Sequence, residues 1–199
     1  MIRITLKQLQ EMDACEDGIT WFKGQSARGL RRIISALLKS NHADYAFWLL
    51  PRLMTQPQKV NFAIYAAEQV LEIFEGTRLG DDRPRKAIQA AKDFLAGKVD
   101  AYAASAAADA AYAAAAATYA AKDADYAAYA ANAAAYAANA AAYAAYAAKD
   151  AAYAAAAANA AYVAYAAKGE ARTIIQKRLA DHALELLGET KVPNIKVRK

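Results

Sequence analysis

Tyr129-Ala-Ala-Asn132-Ala-Ala-Ala-Tyr136-Ala-Ala-Asn139-Ala-Ala-Ala-Tyr143-Ala-Ala-Tyr146 spaces its large or polar residues at steps of 3 and 4, and the pattern runs on to Asp150 and Tyr153. Such a rhythm keeps these side chains on one stripe of an α-helix, in the manner of a heptad seam. Tyr102, Ser105, Asp109 and Tyr112 repeat it earlier. Of the 67 residues from Ala101 to Ala167, 44 are alanine and 11 tyrosine. Alanine has the highest helix propensity and lets backbones approach to about 8 Å, so the fold class is all-α and closely packed.

Working outward, the flanking segments show ordinary amphipathic helices. Thr5 to Ala14 places Leu6, Leu9 and Met12 on one side, with Gly18 as the expected terminator. Ser26 is the expected N-cap of a helix carrying Leu30, Ile33, Ile34, Leu37 and Leu38 inward and Arg28, Arg31, Arg32 and Lys39 outward. Ala43 to Leu50 follows and is expected to stop at Pro51. A single helix is expected from about Pro57 to Gly76, buried through Val60, Ala63, Ile64, Ala67, Leu71 and Phe74. Asp81-Asp82-Arg83-Pro84 suits a helix start with an acidic cap and proline in the first turn, and Gly97 ends that helix. Within the alanine-rich part, Tyr-Ala-Ala-Lys recurs at Tyr119, Tyr146 and Tyr165 and marks candidate turns, with Asp100, Asp123 or Asp125, and Asp150 as caps. An unbroken rod is the alternative, because the stripe passes Asp150 in phase. A last helix spans about Glu170 to Leu187 and ends at Gly188.

These segments predict a multi-helix antiparallel bundle or helical array. Its parts are an amphipathic half over 1–98, an Ala/Tyr-rich half over 99–188 packed on it as one domain, and a basic, loosely ordered tail over 189–199.

Composition narrows the function classes. Cys15 is the only cysteine, which excludes a disulfide framework and a cysteine metal site and fits a reducing cytoplasm. The opening Met1 to Lys7 lacks the apolar run of a signal peptide. Tyr126 to Ala148 is 23 residues without a formal charge. Alanine nevertheless drives insertion weakly, and Asn132 and Asn139 would sit at mid-depth, so no membrane span is expected. The +5 formal charge is uneven: Trp21 to Asn61 holds seven basic residues and one acid, while Ala101 to Ala167 holds two lysines and four aspartates.

Signs of chemistry are sparse. His42 and His182 stand without a motif and read as surface or capping residues. Asp81-Asp82 and Glu16-Asp17 lack metal-ligand spacing, and neither a phosphate loop nor a glycine fingerprint occurs. No catalytic residue, metal or cofactor is expected, and the chain is not expected to be an enzyme. Arg28, Arg31, Arg32 and Lys39 are a candidate phosphate-binding face. Tyr129, Tyr136 and Tyr143 read either as a packing seam or as a flat surface for a partner, a base or a second copy of the chain. A seam is favoured, since nucleic-acid platforms interleave aromatics with Arg and Lys.

Gly80-Asp81-Asp82-Arg83-Pro84-Arg85-Lys86-Ala87-Ile88-Gln89-Ala90-Ala91, with Glu68 to Phe74 before it and an alanine-dominated region after Gly97, resembles the immunity proteins of bacterial polymorphic toxin systems. Cys15-Glu16-Asp17 with Trp21-Phe22 resembles the start of small bacteriophage proteins of unknown function. The first resemblance implies a non-catalytic helical protein that binds and blocks another protein, a bacterial toxin or a defence enzyme. It carries over Asp81, Asp82, Arg83 and Arg85 as partner-binding positions. A nucleic-acid-binding accessory protein and a self-assembling structural protein, with a possible homodimer, are the alternatives.

Overall fold

The computed structural model describes residues 1–104, 108, 129, 132, 133, 135, 136, 139 and 169–189. Over these residues the chain is all-α. α1 (Leu6–Glu11), α2 (Glu16–Lys23), α3 (Leu30–Lys39), α4 (Ala43–Arg52), α5 (Gln56–Glu68), α6 (Leu71–Thr77) and α7 (Arg83–Leu95) come first. α8 (Gly169–Leu186) is the last described helix.

Local chemistry sets most of these boundaries. Thr5 caps α1, accepting from the Gln8 N–H at 3.2 Å while the Gln8 side chain accepts from the Thr5 N–H at 2.9 Å. This is a reciprocal capping box. Gly18 does not end α1, as the sequence reading expected. The turn falls at Asp13, which takes the left-handed conformation (φ 56°), a region that aspartate tolerates better than most residues. Cys15 then caps α2, its Sγ accepting from the Gly18 N–H at 3.4 Å. Glycine is left inside the first turn of the helix.

Ser26 is likewise not the cap of α3. Gly29 holds that position, because residues 2–4 run antiparallel to 28–30, with Ile4 N–H to Arg28 O and Ile2 O from Leu30 N–H both at 2.8 Å. The pairing satisfies the first orphan donor of α3 with backbone, so no side-chain cap is needed.

Pro51 does not halt α4 but rides, buried, in its last turn before Arg52. A proline keeps a helical φ, so it is compatible with that position. The single helix expected from Pro57 to Gly76 is two: α5 closes at Gln69, whose N–H bonds Ala66 O at 3.2 Å, and α6 opens after Val70 (φ −128°, ψ 0°). Asp82 precedes α7 and Pro84 lies in its first turn, as expected, but the carboxylate that receives the Arg83 N–H is that of Asp81, at 3.3 Å. Gly97 (φ 67°) and Gly188 (φ 72°) end α7 and α8 in the left-handed conformation, where glycine carries no Cβ penalty. Asp100 caps the helical residues that follow it, accepting from the Ala103 N–H at 2.9 Å. The turns at Tyr119, Tyr146 and Tyr165, the caps at Asp123, Asp125 and Asp150, the rod alternative, the candidate span 126–148 and the tail beyond Glu189 lie wholly or mainly outside the described residues.

The core is centred on α5, which buries Val60, Phe62, Ala63, Ile64, Ala66 and Ala67 and is thus covered nearly all round. α6 and α7 pack on one part of it, and α8 packs on α5, α4 and α3. Leu179, Ala180, Ala183 and Leu184 of α8 are fully buried in this contact. The Gln58 side chain donates to Leu186 O, tying the start of α5 to the end of α8. Glu189, just past α8, accepts from the Ile2 N–H and lies 3.6 Å from the Met1 ammonium.

Candidate partner-binding surfaces

The turn between α1 and α2, the exposed side of α2 and the first turns of α4 enclose a pocket of about 320 Å³. Phe22, Ile33, Leu37 and Leu49 are buried and form its floor. Trp21, Tyr45 and Trp48 are half-buried walls, and exposed Asp13, Cys15 and Asp44 stand at its rim. Both tryptophans of the chain are therefore here.

The walls are braced. His42 stacks on Tyr45 (5.1 Å, 8°) and meets Trp21 edge-on (6.4 Å). The Arg52 guanidinium lies 3.9 Å over the Trp48 ring. Burial, then the neighbouring Cys15, Asp17 and Asp44, push the Tyr45 hydroxyl above its ordinary pKa. Asp13, Asp17 and Asp44 form no ion pair with any described residue.

On the other side of α3, Arg31, Arg32 and Lys39 line shallow hollows, joined by Arg3 through the bridge to Gly29. Arg28 also lines the hollow that Arg3, Arg31 and Arg32 share, though its guanidinium is held by the chain itself. It precedes α3 and turns inward, with its guanidinium bonding Gln25 O and Ala27 O and lying 4.6 Å over the Phe22 ring. Arg3, Arg31, Arg32 and Lys39 form no ion pair with any described residue.

The four positions carried over at the start of α7 make ion pairs within the chain. Arg83 holds Asp81 bidentately at 2.8 and 2.6 Å, Arg85 holds Glu75 of α6 at 2.7 and 2.6 Å, and Lys86 reaches Asp82 at 2.9 Å. The Arg83 hydrogen bond holds the Asp81 carboxyl below the usual aspartate pKa. A carboxyl depressed in the folded state contributes stability above its unfolded pKa, about 3.9, and that contribution is lost as pH falls through the folded value. Asp81→Asn should thus cost about 0.5–1.5 kcal/mol at pH 7. In urea unfolding the gap from wild type should close on acidification, and a gap unchanged at acid pH would contradict this role.

Tyr129 and Tyr136 are half-buried and packed against the core, beside buried Asn132, Ala133 and Ala135. Tyr143 lies outside the described residues. His182 stacks on Tyr65 at 4.0 Å and meets Asn61 Oδ1 at 3.0 Å. Among the described residues no group of three or more His, Cys, Asp or Glu is placed to hold a metal ion, and no helix is long and apolar enough to cross a membrane.

The family model described as Imm-5 like putative immunity protein matches residues 50–185, and the chain belongs to that family. No curated protein and no solved structure matches it. The stretch Cys15 to Phe22, likened above to bacteriophage proteins, falls outside the matched span. So does the aromatic pocket, which the sequence reading did not assemble. Its signal was Tyr45 and Trp48 three apart on one helix face, with Trp21-Phe22 on the preceding amphipathic segment.

Proposed function

We propose that this protein is a non-catalytic inhibitor that binds a bacterial toxin protein and blocks it, acting in the cytoplasm of the cell that the toxin would damage. The observation that carries this reading is the family match over about two thirds of the chain. The aromatic pocket is the most suitable binding centre, because tryptophan, tyrosine and arginine dominate binding energy at interfaces. Asp81, Asp82, Arg83 and Arg85 take a supporting part: the Asp81–Arg83 pair and the Arg85–Glu75 pair hold the α6–α7 corner, and Asp82 and Arg85 keep exposed surface for a partner.

The surface of Arg3, Arg31, Arg32 and Lys39, which form no ion pair among the described residues, favours a second reading, binding to nucleic acid, whose affinity would fall steeply with salt. One experiment separates the two. Immobilised protein is incubated with lysate of toxin-carrying bacteria, with and without nuclease, and the captured protein is then expressed alone and together with this chain. The inhibitor reading expects one stoichiometric, nuclease-resistant partner whose expression arrests growth and whose co-expression does not. Capture of nucleic acid alone, or of no protein at low and moderate salt, would refute it.

A further inference from the structure

We infer that the pocket between α2, α3 and α4 receives an arginine side chain, flanked by an apolar residue, from the protein that this chain binds. The protein nature of the occupant rests on the proposed inhibitor function; its chemistry rests on the pocket. At about 320 Å³ the cavity is at the small end of ligand sites, which start near ~300 Å³. That suits one long side chain and part of its neighbour.

The walls select a flat cation. Half-buried indole and phenol rings attract a guanidinium to their faces, and arginine is commoner than lysine in such contacts. The chain already makes this contact at one wall, where Arg52 lies 3.9 Å over Trp48. An indole has two faces, and Arg52 is not among the residues that line the cavity.

Charge points the same way. From Leu9 to Thr20 the chain carries Glu11, Asp13, Glu16 and Asp17 and no base, although its total charge is +5. Asp44 adds a further carboxylate from α4. Asp17 and Asp44 sit in first helical turns, where the helix dipole favours them. Asp13 has no such reason, lying in a left-handed turn outside any helix. Glu11 is paired with Lys7, and Lys23 stands across the neighbouring hollow that Asp13 and Glu16 share. Asp13 and Asp44 on the rim, with Asp17 near enough to act on the Tyr45 hydroxyl, have no ion pair among described residues and leave the mouth negative. An anionic ligand is repelled there, and a cation relieves the mutual repulsion of the carboxylates.

The test uses the full chain and defined probes, acetyl-Leu-Arg-Leu-amide and the same peptide with citrulline, an uncharged isostere of arginine. Both indole N–H resonances report directly, because both tryptophans line the cavity. The arginine peptide should shift both in a saturable way and bind roughly fivefold tighter than the citrulline peptide, the scale of one exposed cation–π contact. Asp13→Asn with Asp17→Asn and Asp44→Asn should lower that preference to the part the rings alone supply, as should high salt. Asparagine is also tolerated in the left-handed region, so the triple variant keeps the turn. Equal binding of both peptides, or no indole shift at millimolar arginine peptide, would overturn the inference. A partner captured equally by wild type and triple variant would also overturn it while leaving the inhibitor reading intact. Peptide binding without any captured partner would uphold the pocket chemistry and count against the inhibitor reading alone.

Discussion

Leu184→Asp should abolish cooperative unfolding at 25 °C, leaving a chain that lacks the native near-ultraviolet signal. Leu184 is fully buried on α8, at the contact with α3, α4 and α5. Losing its burial costs about 1.5–3 kcal/mol. The aspartate adds a polar group without an apolar-core partner, at about 1–3 kcal/mol even if its carboxyl takes up a proton to avoid ionising there. The sum, about 2.5–6 kcal/mol, reaches the lower end of the whole stability of a typical domain, about 5–15 kcal/mol. Leu184→Met keeps volume and polarity and should cost less than about 1.5 kcal/mol. A thermal melt of the aspartate variant within a few degrees of wild type would show that α8 is not needed to close the core.

Phe62→Ala should have the next largest effect, a loss of about 3–5 kcal/mol, combining lost transfer energy with the cavity left behind. Phe62 is fully buried in α5, the helix on which α6, α7 and α8 pack. Ala66, four positions on along the same helix, is also fully buried, and so short a side chain cannot swing in to fill the space. For a chain of this length the loss corresponds to a fall in Tm of about 6–20 °C. Urea unfolding should show a lower midpoint at unchanged slope. A cost below about 1 kcal/mol would place the centre of the core elsewhere.

What the sequence disclosed depended on how far each determinant reaches along the chain. Asp82 with Pro84, and the glycines at 97 and 188, act within one helical turn, and all were legible. The cap of α3 was misplaced because its N-terminus is completed by residues 2–4, about 26 positions away. The break at Val70 was hidden because Val60, Ala63, Ile64, Ala67, Leu71 and Phe74 keep helical spacing across it. The acidic and basic residues at the start of α7 were noticed as a partner surface, yet nothing in their order indicated that Arg85 reaches back to Glu75. The aromatic pocket was least visible. It needs Leu9, Trp21, Ile33 and Trp48 to converge from four helices, and no local pattern encodes that meeting.

The packing of α8 on helices far upstream also governs how the chain meets the cell as it is made. The face of α3, α4 and α5 that buries Leu179, Ala180, Ala183 and Leu184 is complete once Glu68 has left the ribosome. α8 follows about 120 residues later, or about 6–24 s at ordinary elongation speeds. Throughout that interval this face lacks α8, the helix that buries against it in the folded chain. The order of these helices along the chain thus sets a minimum time during which that face waits for the helix that completes it.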